Sequence, residues 1–128
     1  MKVGIKGKKE ILVNEDNTAL NLGSGSLKVF ATPAMVSLIE KTCWESIDEY
    51  LDDDKTSVGT NLKITHESAS PIGMKVWCES ELINIDRKKL TFKTEVFDEK
   101  GLIGRGIHER FIVSSEKFIE RTNKKLDK

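Results

Sequence analysis

The chain carries one long stretch of helical periodicity, set among shorter stretches in which apolar and polar residues alternate. Val36, Ile39, Cys43, Ile47 and Tyr50 recur at three- and four-residue spacing, with Met35, Leu38 and Leu51 beside them, until the run Asp52-Asp53-Asp54 ends the pattern. Thr32-Pro33 marks the expected start, because a threonine hydroxyl caps a free amide and proline at the first helical position forfeits no hydrogen bond. The apolar stripe is wider than a surface helix needs, so sheet is expected to surround much of it. Ahead of the helix, residues 8–13 read as a strand, 14–18 as a turn and 21–26 as a flexible loop. Behind it the period falls to two. Val58, Leu62, Ile64 and His66 take one face of a strand, and Gly59, Asn61, Lys63 and Thr65 take the other. Ser70-Pro71-Ile72-Gly73 then breaks the chain before Met74, Val76, Cys78 and Leu82 alternate again. Charged turns at residues 86–89 and 98–101 separate two further strands, at 90–96 and 102–113.

A strand, one long helix and four strands on short links predict an α+β fold, since hairpin links pair neighbours antiparallel and need no crossover helix. The expected architecture is an antiparallel sheet of about five strands wrapped around one central helix. Such a sheet has free edges, and two-fold pairing of one edge makes a homodimer the expected assembly, alone or as the unit of a larger one.

Composition narrows the partners. With 128 residues, 38% of them hydrophobic and 33% charged, the chain is expected to form one domain spanning residues 1–128 and is too apolar for a disordered tail. Lys plus Arg and Asp plus Glu are both 21, so no net field draws the protein to nucleic acid or to an anionic membrane. No apolar run approaches the roughly 20 residues that span a bilayer, and the first residues lack a signal-peptide core, so a cytoplasmic location is expected. Cys43 and Cys78 sit in apolar stretches and read as buried reduced thiols, although a pair between them is chemically open. With His66 and His108 they make no metal-ligand spacing, and no metal is expected.

Three residues suggest chemistry, each against a plainer reading. Glu40 lies within the apolar helix, where an ionised carboxylate needs a donor or a proton; the alternative is a solvated side chain beside Lys41 and Glu45. His66 ends an apolar strand face and suits proton transfer, or else it is a strand-end histidine bonded to a backbone carbonyl. Thr32 is a helix cap worth about 1 kcal/mol, or a hydroxyl beside the free amides and positive dipole that would stabilise an oxyanion. Thr32 and Glu40 lie about 12 Å apart along a helix, so substrate, water, His66 or a partner chain must bridge them. In the trio His108-Glu109-Arg110, His108 and Arg110 share a strand face that Glu109 opposes, and an exposed cross-strand role is expected of His108 and Glu109.

Three stretches together resemble the fluoroacetyl-CoA thioesterase family: residues 29–36 running to Glu40, residues 57–60 running to Thr65-His66, and residues 104–113. The resemblance covers nearly the whole chain and implies the hot-dog fold and an acyl-CoA thioesterase. It implies Thr32, Glu40 and His66 as the catalytic set, Gly59 as a contributor to carbonyl placement, and Arg110 as a ligand or conformational contact. Coenzyme A enters as part of the substrate, and no separate cofactor is implied. Pro33 stands where the fluoroacetate-specific enzyme has a glycine, and the loop before Phe30 lacks an extra aromatic residue, so an unspecialised short or medium acyl chain is expected. A noncatalytic acyl-CoA-binding or small-ligand-binding protein of the same fold is the competing reading. An enoyl-CoA hydratase is disfavoured, since its Asp and His pair is not visible.

Overall fold

In the computed structural model, which describes residues 1–127, five antiparallel strands form one sheet: β1 (Lys6–Leu12), β2 (Lys55–His66), β3 (Lys75–Asp86), β4 (Lys89–Asp98) and β5 (Gly101–Ser114). Their order is β1-β3-β4-β5-β2, which leaves β1 and β2 as the free edges. Helix α1 (Ala19–Leu22) is a single turn, α2 (Thr32–Asp48) packs across the sheet, and α3 (Ser115–Asn123) follows β5. This is the hot-dog arrangement. Among the described residues no helix is long and apolar enough to cross a membrane.

Met35, Leu38, Ile39, Thr42, Cys43 and Ile47 are the buried residues of α2, and their spacing makes the stripe that the sequence displays. They meet Val76, Cys78, Leu82, Phe92 and Val96 on the sheet, with Phe30 and Ile103 closing one end. Cys43 and Cys78 are both free and buried, and burial pushes both thiols up, Cys78 to about 12. Tyr50 and Leu51 depart from expectation. They lie past the end of α2, where Tyr50 is half exposed while Leu51 still packs against the core. Helix α3 was not foreseen either; it is a short element of nine residues, none of them buried.

Two further departures shape the site. The residue capping α2 is Ala31, which makes no side-chain bond, and Thr32 is already the first helical residue. Its hydroxyl is therefore free of the capping role. On β2, strict alternation is interrupted by a bulge between Gly59 and Asn61. Val58 pairs with the exposed Phe111, whereas Gly59 pairs with the buried Arg110 and Leu62 with the buried His108. The extra residue thus moves Val58 to the outer face and brings Gly59 onto the helix-facing side with Leu62, Ile64 and His66.

Candidate active site

The chain entering α2 is pinned from both sides: the Phe30 amide donates to the Ser70 carbonyl at 2.9 Å, and the Ala31 amide to that of Asn17 at 2.9 Å. That anchoring sets Thr32 beside the end of β2, where its Oγ1 lies 2.7 Å from His66 Nδ1. Phe30 meets the imidazole edge-on, with ring centroids 6.3 Å apart. The other ring nitrogen, Nε2, is buried and has no partner of good hydrogen-bonding geometry among the described residues. Burial holds the His66 pKa below its ordinary value, and the nearby Ser68 backbone opposes that shift. An imidazole that is neutral near pH 7 and touches a hydroxyl is equipped to take a proton from it. The cleft in front of the pair is open and small, about 270 Å³, with Ala19, Ser24 and Ala69 among its walls.

Glu40 is not in that cleft. Among the described residues no hydrogen bond or ion pair joins it to Thr32 or His66; its charged neighbour is Arg110, whose Nη1 lies 3.9 Å from Oε2. Arg110 is buried, while the Glu40 side chain remains 43% exposed. Its guanidinium is held firmly: Nε donates to Ser57 Oγ at 2.8 Å, and Nη2 to the Ser57 carbonyl at 2.9 Å. Burial lowers the Arg110 pKa, and the Glu40 carboxylate is the strongest influence opposing it. Gly59 closes this second group. A Cβ there would stand 3.0 Å from Glu40 Oε2, 3.2 Å from His108 Cε1 and 3.4 Å from Arg110 Nη1, so a side chain at this position would push the carboxylate back by a few tenths of an ångström.

The candidates therefore form two clusters in one protomer, Thr32 with His66, and Glu40 with Gly59 and Arg110. His108 belongs to the second, contrary to the exposed role expected of it. It is 1% exposed, stacked beside Phe92, and 3.0 Å from Arg110 Nη1 through Nε2. Glu109 does face outward, paired with Lys89 at 2.9 Å. The bulge that brings Gly59 and His66 to one face escapes a period-two reading, although a lone glycine inside a strand is its usual signal.

A five-stranded antiparallel sheet with one long helix packed against it is the hot-dog fold, and its family match makes the chain a thioester hydrolase of that fold. A hot-dog-like protein from Thermanaerovibrio acidaminovorans, 19% identical, has the same fold with a TM-score of 0.91 over 100% of this chain and 95% of that one. The sequence profile of the fluoroacetyl-CoA-specific thioesterase family matches residues 13–116, and the chain belongs to that family. The fluoroacetyl-CoA thioesterase of Streptantibioticus cattleyicolor is 35% identical over 98 residues, 77% of this chain and 70% of that protein. A crystal structure of a fluoroacetyl-CoA thioesterase superimposes with a TM-score of 0.92 at 30% identity, covering 98% of this chain and 97% of that one. A variant of that enzyme bound to fluoroacetate and CoA matches with a TM-score of 0.87 at 31% identity, over 92% of this chain and 99% of that one.

Proposed function

We propose that this chain hydrolyses short or medium acyl-CoA thioesters at a site shared by two copies of itself, with Thr32, Glu40 and His66 as catalytic residues and Gly59 and Arg110 placing substrate and carboxylate. The 2.7 Å contact between Thr32 Oγ1 and His66 Nδ1 at the start of α2 carries this reading. With Nε2 protonated toward the Ser68 backbone, the hydroxyl donates to Nδ1, and its oxygen gains nucleophilic character. His66 takes the proton from the attacking oxygen, Thr32's own or that of a water held beside it, and later returns it. The amides of Thr32 and Ala34 at the helix start meet the developing oxyanion, while the coenzyme A thiolate leaves readily. Small residues, Ala19, Ser24 and Ala69, share the cleft walls with Val29, Phe30 and Glu67. Pro33 contributes no amide there and stands where the fluoroacetate-specific enzyme has a glycine, which favours an unspecialised acyl chain over a fluorine-selective one.

Glu40 reaches this chemistry from a partner. The Lys63 and Thr65 carbonyls point into β5, against Gly106 and Gly104, so the peptide groups of Leu62, Ile64 and His66 face the free edge. A second copy added antiparallel to this edge, with the two-fold through Lys63, sets Leu62 opposite the partner's Ile64. His66 then faces the partner's bulge at Gly59 and Thr60, and the partner's Glu40 completes the site. The pairing also removes a long unpaired edge.

The test is thiol release from a panel of acyl-CoA substrates, with wild type, Glu40→Ala and His66→Ala, and with the two variants refolded together. Each variant alone is expected to be inactive. Random pairing makes half the dimers mixed, each with one intact site of two, so the mixture regains about a quarter of wild-type turnover. No turnover with any acyl chain, alongside calorimetric binding of the same substrates, overturns the hydrolase in favour of a binding protein. Turnover in wild type with no recovery on mixing overturns the shared site alone.

A further inference from the structure

Residue 108 stands between two elements of the proposed site without reaching the substrate. Its Nδ1 lies 2.9 Å from the Asn61 carbonyl, at the β2 bulge, and its Nε2 lies 3.0 Å from Arg110 Nη1. A carbonyl has no proton to give and a guanidinium no lone pair to offer, so the two partners together fix one tautomer: Nδ1 carries the hydrogen and Nε2 is a bare acceptor. The ring cannot turn away. It is 1% exposed, with Phe92 stacked at 6.4 Å on one side and the Cβ-less Gly59 on another. Ser57 occupies Nε and Nη2 of the guanidinium, and His108 anchors the remaining nitrogen, the one nearest Glu40.

We propose that His108 is a positioning residue for the thioesterase reaction, its neutral ring aiming Arg110 Nη1 at the Glu40 carboxylate while it clamps the bulge that turns Gly59 inward. The inference rests on the catalytic reading of Glu40. A leucine would fill the same space but strip the Asn61 carbonyl and the buried Arg110 Nη1 of their partner, so the ring holds two other groups in place as well as packing. The charged groups around the ring are Arg110 on the same face of β5 and Glu40 of α2, with Glu109 on the opposite face; burial first, and then cation repulsion from Arg110, keep the ring neutral.

Three variants separate aiming from packing. His108→Gln retains an acceptor near Nε2, His108→Asn retains only a donor near Nδ1, and His108→Leu retains neither. The Leu and Asn variants are expected to lower kcat roughly 10- to 100-fold with KM changed less than about threefold, while Gln recovers most of the loss. In a Glu40→Gln background, His108→Leu should cost no further turnover, because the carboxylate it aims is gone. Thermal melting run in parallel shows whether each variant is folded, and ¹⁵N spectra of wild type should show His108 protonated at Nδ1. Equal losses in all three variants, full activity in the Leu variant, or a loss that multiplies with Glu40→Gln overturns the proposal. A ring protonated at Nε2 overturns it whether or not the protein turns over. A wild type without turnover overturns the proposal together with the role of Glu40; normal turnover and Glu40 dependence with an indifferent His108 overturns the proposal alone.

Discussion

Gly59→Ala places one methyl group into the cluster that holds Glu40, and the structure sets what must move. The new Cβ would stand 3.0 Å from Glu40 Oε2 and 3.2 Å from His108 Cε1. His108 is buried, stacked and bonded at both nitrogens, so it yields little. Glu40 is the flexible, 43% exposed partner, and its carboxylate must retreat by about 0.4 Å to reach ordinary contact distance. Gly59 is not in the left-handed backbone region, so alanine meets no torsional strain there. Replacing a strand glycine recovers about 0.5–1 kcal/mol of chain entropy, while an off-rotamer glutamate costs about 0.5–1.5 kcal/mol, so net stability should change by less than about 1 kcal/mol. Catalysis has no such offset. A misplacement near 1 Å costs about 100-fold, so a few tenths at the carboxylate should lower kcat about tenfold. Thiol-release kinetics and thermal melts on the same preparations are the measurement. Wild-type kcat in a folded variant would refute the claim that Glu40 works from this position, as would an activity loss that merely follows a loss of folded protein.

Thr32→Val should reduce turnover at least about 100-fold, through loss of the hydroxyl facing His66, while costing less than about 1.5 kcal/mol of stability because Ala31 occupies the capping position; thiol release and denaturant titration check both halves. Burial lowers the His66 pKa, so the acid limb of kcat/KM should have its midpoint below the ordinary histidine value of about 6.5, and a midpoint above it would count against His66 as the base. Both His66 and His108 titrate lower folded than unfolded. The unfolded chain therefore binds more protons just below about pH 6.5, and melting temperatures should fall as pH drops through that value toward the folded pKa values. Cys43 and Cys78 should resist a thiol reagent at pH 8 until the protein is denatured, since both are buried with their pKa pushed up; rapid labelling of native protein would contradict their packing.

The period of the apolar residues was enough to read one long helix and five strands, because burial on one face imposes 3.6- and 2-residue repeats wherever an element packs. Thr32 at the helix start and His66 at a strand end were legible for the same reason, as positions that regular elements set. What lay beyond that reading depended on contacts between distant segments. The bulge at Gly59 exchanges Val58 and Gly59 between the two faces of β2, and its presence is decided by pairing with β5, forty and more residues on. His108 looked like one of many exposed strand residues, because its burial follows from Phe92 and Arg110 closing around it, which no local spacing records. Tertiary packing also decided that Glu40 sits with Arg110 rather than with Thr32, since a rigid helix keeps side chains eight residues apart on separate turns and lets each meet a different strand.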